Sequence, residues 1–261
     1  MWMIGAWLEL PVWQLLLALA AFYAITGVAI HLLAFHGPAS EWVRSFRGVV
    51  PPFFVTPILI FSLLLGFIAS EVWHRDAEAV QLVRDEGDGL FALTHLIPET
   101  DPAAAGLLGL IRAYAQSVVG EEWPRMQGGN RLPATEAAFT SLLSAIVDTP
   151  VSGVNGPAVQ KARLDIAMKL HNLRGTRLTL AGDHTDEAKW ATLLILGLLA
   201  QLAIAAVHLE IPRPQIAALT IFSAAAVIAL GLVAIQERPF AAPYKVSPGP
   251  LEDVVREIPA R

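Results

Sequence analysis

Residues 51–76 read PPFFVTPILIFSLLLGFIASEVWHRD. From Phe53 to Ser70 the stretch carries no Asp, Glu, Lys or Arg, and it ends in Glu71, Arg75 and Asp76. About 20 apolar residues as helix cross a bilayer core, so the stretch predicts a membrane-spanning helix. Three further charge-free windows, 12–33, 191–209 and 216–235, predict three more. The whole chain agrees, with 261 residues of which 55% are hydrophobic and 16% charged. A soluble domain carries about a quarter charged residues. Trp7, Trp13, Trp73 and Trp190 sit near the helix ends, where an aromatic belt would place them.

No Lys or Arg precedes Arg44, so the first window lacks the basic flank of a signal peptide and reads as a retained helix. A net charge of −5 gives no reason to expect a nucleic-acid partner. Cysteine is absent, which removes disulfides and thiolate metal sites. The seven histidines form no pair at i, i+4 spacing, and no cofactor or metal is expected.

The order is two membrane helices (1–73), a helical domain (74–188), two more membrane helices (189–236) and a proline-rich tail (237–261) expected to run extended. Proline and glycine break the inserted domain into predicted helices over 72–97, 102–122, 133–147 and 157–181. No β pattern appears. Arg44, Arg47 and Arg213 lie by the short loops. Arg75, Arg84, Lys169, Arg174, Arg177, Lys189, Arg238 and Lys245 lie toward the other side. The excess of basic residues predicts that both termini and the large domain are cytoplasmic, in a bacterial inner membrane.

On a helix at about 100° per residue, Thr56, Leu59, Leu63, Phe67, Ser70 and His74 fall on a face about 80° wide. Ser62, Gly66 and Ala69 lie on another face, at spacing that lets helices approach closely. One reading is a pore: several copies around an axis would turn the stripe into an apolar neck, wet at both ends. The other is a helix buried in a four-helix bundle. Glu71 is either a selectivity group at the mouth or one half of an i, i+4 pair with Arg75.

The run LLLGFIAS followed by Trp73 resembles the second transmembrane helix of bestrophins. PPFF before it, SEVW after it, EEWP (Glu121–Pro124) and RPF with VSP near the C-terminus are similar to the bacterial bestrophin-like domain family. The resemblance implies a pentameric ion channel with four membrane helices per subunit, and it places the neck on Leu59, Leu63 and Phe67. It also leaves a departure. Nothing resembles the calcium clasp of animal members, since the tail offers only Glu252, Asp253 and Glu257. Anion selectivity is not implied either, because bacterial relatives include cation-selective channels.

Other polar residues have plainer readings. His31, inside the first membrane helix, is expected to bond a neighbouring helix as a neutral imidazole rather than relay protons. His208 and Glu210 are expected to snorkel. Glu121 and Glu122 are adjacent, so on a helix they diverge and do not make a catalytic pair. With Trp123 and Pro124 they are expected to end a helix and meet the tail or a neighbouring subunit. No nucleophile–base pair or phosphate loop appears, so no enzyme is expected.

The expectation is an all-α membrane protein, a homo-oligomeric and pentameric channel for small monovalent ions. Thr56, Ser70, Glu71 and His74 sit at the pore mouths, with Glu71 favouring cations. The rival is a non-conducting scaffold or sensor whose helical domain binds a partner. A transporter is disfavoured by the lack of an internal repeat or broken helix pair.

Overall fold

Apolar runs bounded by Pro, Gly or polar turns become helices, and among the described residues nothing else regular forms. The fold is that of a computed structural model. It describes residues 2–8, 10–48, 50, 52–98, 104–149, 156–241 and 246–258. The helices are α1 (Trp2–Leu8), α2 (Val12–Phe35), α3 (Ser40–Arg44), α4 (Pro52–His95) and α5 (Ala104–Ser117). After them come α6 (Pro133–Asp148), α7 (Pro157–Gly182), α8 (Glu187–Val207), α9 (Pro212–Ile235) and α10 (Gly249–Glu257). A π turn, Val118–Glu122, and a 3-10 turn, Trp123–Gly128, extend α5.

Proline begins α4, α6, α7 and α9, where its missing N–H has no intrahelical partner to lose. The second membrane helix and the predicted helix over 72–97 are one continuous element, α4. No proline or glycine pair interrupts it after Pro57. Among the described residues four stretches are long and apolar enough to cross a membrane: Val12–Phe35, Val55–His95, Pro157–Val207 and Pro212–Ile235.

The chain divides into two compact units, residues 1–74 with 185–237 and residues 75–184 with 238–261. In the first, the membrane unit, α2 and α9 run antiparallel beside α8. Its core includes Leu15, Leu19, Tyr23, Phe61, Ile68, Val72, Trp190 and Leu230. Trp190 is fully buried and meets Trp7 edge-on at 5.5 Å, so it is a core residue and not part of a lipid-facing belt. Gly197 is required by a close approach: a Cβ there would lie 2.0 Å from the Tyr23 hydroxyl.

The second unit packs α5, α6, α7 and the later part of α4 around Leu90, Ile111, Tyr114, Leu142 and Leu170. The tail departs from the extended course expected of it. Gly249–Glu257 is helical, and Phe240, Val246, Leu251 and Val254 join the core of this unit. Pro250 seats against Gly87, where a Cβ would lie 2.7 Å from the proline ring. Prolines at the start of α10 do not oppose it, because they precede its first internal hydrogen bonds.

Candidate functional site

Within the membrane unit α4 has two unlike faces. Phe61, Ile68, Ala69 and Val72 are buried in the core. Leu59, Leu63 and Phe67 retain 62%, 61% and 63% of their surface, although each is bulky and apolar. Thr56, Ser70, Glu71 and His74 are exposed on the same side. A helix rotated to hide its apolar bulk would bury those three residues first, so their exposure is a property of the subunit's packing.

The small residues divide. Ala69 is buried in the subunit's own core, whereas Ser62 and Gly66 are exposed. A Cβ on Gly66 would meet nothing within 4 Å. The close approach expected of this trio is therefore made inside the subunit only by Ala69.

Glu71 takes a partner that no local spacing reveals. Both its oxygens accept from Lys189 Nζ of α8, at 2.9 and 2.7 Å, and both side chains are nearly half exposed. An exposed pair of this kind contributes about 0–1 kcal/mol and weakens with salt. At the same end of α4, the Trp73 indole N–H donates to the Gln236 side chain at the end of α9.

Two polar clusters hold the membrane helices together. Gln201 of α8, fully buried, accepts from Thr26 at 2.7 Å and donates to Ser223 at 2.9 Å and to the Tyr23 carbonyl at 3.0 Å. His31 donates from Nδ1 to Gln215 at 2.8 Å, and Gln215 donates on to the Ala205 carbonyl. The expected helix-to-helix bond of His31 is thus present. His208 bonds the Ile204 carbonyl one turn back.

The second unit holds a cluster that the sequence reading missed. Arg177 of α7 donates to Glu86 of α4 at 2.7 and 3.2 Å and to Glu122 at 3.1 Å. Arg174, one turn earlier, donates to Glu122 at 2.6 Å and to Glu136 of α6 at 2.5 Å. Tyr114 donates to Glu86 at 2.8 Å, and the Trp123 ring faces the Arg177 guanidinium at 5.3 Å. Glu86, Glu122, Arg174 and Arg177 are all buried.

Burial, with the Glu86 carboxylate beside it, pushes the Tyr114 phenol well above its usual value. The Arg174 hydrogen bond holds Glu136 below the usual carboxylate range. Every oxygen of Glu86 and Glu122 accepts from Tyr114, Arg174 or Arg177. The cluster ties α4, α6, α7 and the Val118–Glu122 turn together. Its signal in the sequence was the mixed face of α7, where arginines three apart interrupt an apolar stripe. Among the described residues no group of side chains has the makings of a metal site.

Arg174 and Arg177, expected as juxtamembrane charges for orientation, instead neutralise buried carboxylates. Glu121 is exposed while Glu122 is buried, as their divergence on a helix required, and Trp123 does meet the tail, edge-on to Phe240 at 5.7 Å.

The bestrophin-like domain model matches residues 21–251, from within α2 through the other membrane helices and the inserted helices into α10. The chain belongs to the bestrophin-like family. Solved structures of a bacterial bestrophin homologue from Klebsiella pneumoniae share its fold. One variant superposes with a TM-score of 0.70 at 13% identity, covering 93% of this chain and 98% of that one. Another gives 0.72 at 14% identity, over 96% and 97%. The homologue phased on zinc gives 0.67 at 14%, over 93% and 95%. No curated protein matches the chain. Membership of the bestrophin-like family supports an ion-channel-type function in a membrane, and not an enzymatic one.

Proposed function

We propose that this bestrophin-like protein assembles as a ring, a pentamer, in which α4 of each subunit lines a central ion pathway. The observation that carries the reading is the uncovered face of α4. Leu59, Leu63 and Phe67 stay exposed in the subunit while the opposite face of the helix is core. Copies of that face around an axis form an apolar neck, and a hydrophobic constriction gates ions by dewetting. Thr56 wets one end, and Ser70, Glu71 and His74 wet the other. Ser62 and Gly66, open in the subunit, suit close contact with the next copy.

The ions are small and monovalent, and a carboxylate ring at Glu71 favours cations. Lys189 offsets that charge, so the cation preference is slight. Both termini and the second unit lie in the cytoplasm of a bacterial inner membrane. Arg75, Arg84, Lys169, Lys189, Arg238 and Lys245 still outnumber Arg44, Arg47 and Arg213 after Arg174 and Arg177 are set aside.

The test joins particle mass to current. The purified protein is sized in detergent and then placed in planar bilayers under a KCl gradient. A ring of about five copies, a current, and a reversal potential displaced toward the cation limit are expected. A monomer or dimer that carries no current would remove the pore and leave the scaffold reading.

A further inference from the structure

Along the outer side of the antiparallel α2–α9 pair runs a groove of about 600 Å³, lined on one wall from Ala20 to His31 and on the other from Ile216 to Ile228. At 1.5 Å per residue it is about 17 Å long. One hydrocarbon leaflet is about 15 Å thick, so the groove has the length of a single leaflet. It is mostly apolar, opened by Ala20, Ala24 and Ala224, with Tyr23 and Ser223 midway and Thr220 and His31 toward one end. That end faces the start of α9 and the end of α2, at the membrane boundary.

The lining suits the occupant: a mostly apolar groove with the length of one leaflet accommodates a flexible hydrocarbon chain. The polar end carries a cation in register. Arg213, Ile216, Thr220, Ser223 and Val227 are spaced three, four, three and four apart, which puts the exposed Arg213 on the groove's line beyond its mouth. Side chains on a helix tilt toward its N-terminus, which aims Arg213 at the headgroup level.

We propose that the α2–α9 groove is a resident phospholipid site, with one acyl chain in the groove and the phosphate at Arg213. The small residues are there to admit the chain, and Arg213 discriminates for the phosphate. The site lies within one subunit and does not depend on the ion pathway.

Native mass spectrometry of the detergent-solubilised full chain tests it, with dioleoyl phosphatidylglycerol and dioleoylglycerol as probes of equal chain and unequal headgroup. The wild type should retain the phospholipid over the diacylglycerol. R213A should weaken that retention about tenfold, the loss of one charge-assisted contact. The groove-filling variant A24F/A224F should lose the adduct, with helical circular dichroism and subunit number unchanged. Equal retention of the two lipids by the wild type overturns the phosphate contact. An adduct undiminished in A24F/A224F overturns the groove as its seat. A changed subunit number in that variant gives the groove to a neighbouring copy instead. Should A24F/A224F not fold, the comparison of wild type with R213A still decides.

Discussion

The membrane unit and the second unit bury polarity in opposite ways. The membrane unit joins its helices through neutral groups, with Gln201 bridging Thr26, Tyr23 and Ser223 and Gln215 bridging His31 and Ala205. Its bulky apolar side chains Leu59, Leu63 and Phe67 face outward. The second unit does the reverse, hiding the charges of Glu86, Glu122, Arg174 and Arg177 among Leu90, Tyr114 and Leu170. The contrast follows from the alternative each group has when unfolded. Buried ions are compensated only by near-perfect pairing, as Arg177 finds with Glu86 and Glu122, whereas a membrane-bound amide can find substitute partners even when helices separate.

Breaking one charge should therefore give the largest effect. Replacing Glu86 with Ala leaves Arg177 half-paired, and loss of one partner of a buried pair costs roughly 3–5 kcal/mol. Thermal unfolding should show the second unit melting far below the wild type. Replacing Glu86 and Arg177 together with Leu and Met should recover most of the loss. A double variant no better than E86A would show that packing, not charge, accounts for the cost.

The neck variant L63A/F67A comes next. Removing two bulky side chains per subunit from an apolar constriction should raise single-channel conductance several-fold without changing stability by much, because both are already exposed. Unchanged current in a verified ring would displace the neck from these positions.

Gln201→Leu is the membrane counterpart of E86A, and it should cost only about 1 kcal/mol, read from detergent unfolding. A loss as large as that of E86A would abolish the distinction between the units.

Alkali sharpens the same contrast. The folded Tyr114 phenol titrates above its unfolded value of about 10. Its contribution is therefore complete below pH 10 and is lost as pH rises toward the folded value. The second unit should weaken above about pH 10, and Y114F should remove that component from the pH profile while lowering stability at neutral pH.

The smallest effect belongs to the Glu71–Lys189 pair. K189Q should shift selectivity toward cations and E71Q away from them, each by less than about fivefold, the equivalent of about 1 kcal/mol for an exposed pair. High salt should erase the shift.

The sequence by itself determined the all-helical class, the four apolar helices and most helix limits. These rest on local facts: runs without charge, prolines at first turns and glycine breaks. It determined the periodic stripe on α4 as well, because helical spacing is read along one segment. Only the tertiary structure decided which side of α4 is core, that α4 runs unbroken to His95, and that the tail folds as α10 against Gly87. It also decided the partners of charge. Glu71 finds Lys189 at a separation of 118 residues, and Arg177 finds Glu86 at 91. Such pairings depend on the juxtaposition of distant helices, which desolvation makes obligatory for the buried Arg177 but which no periodicity along the chain encodes.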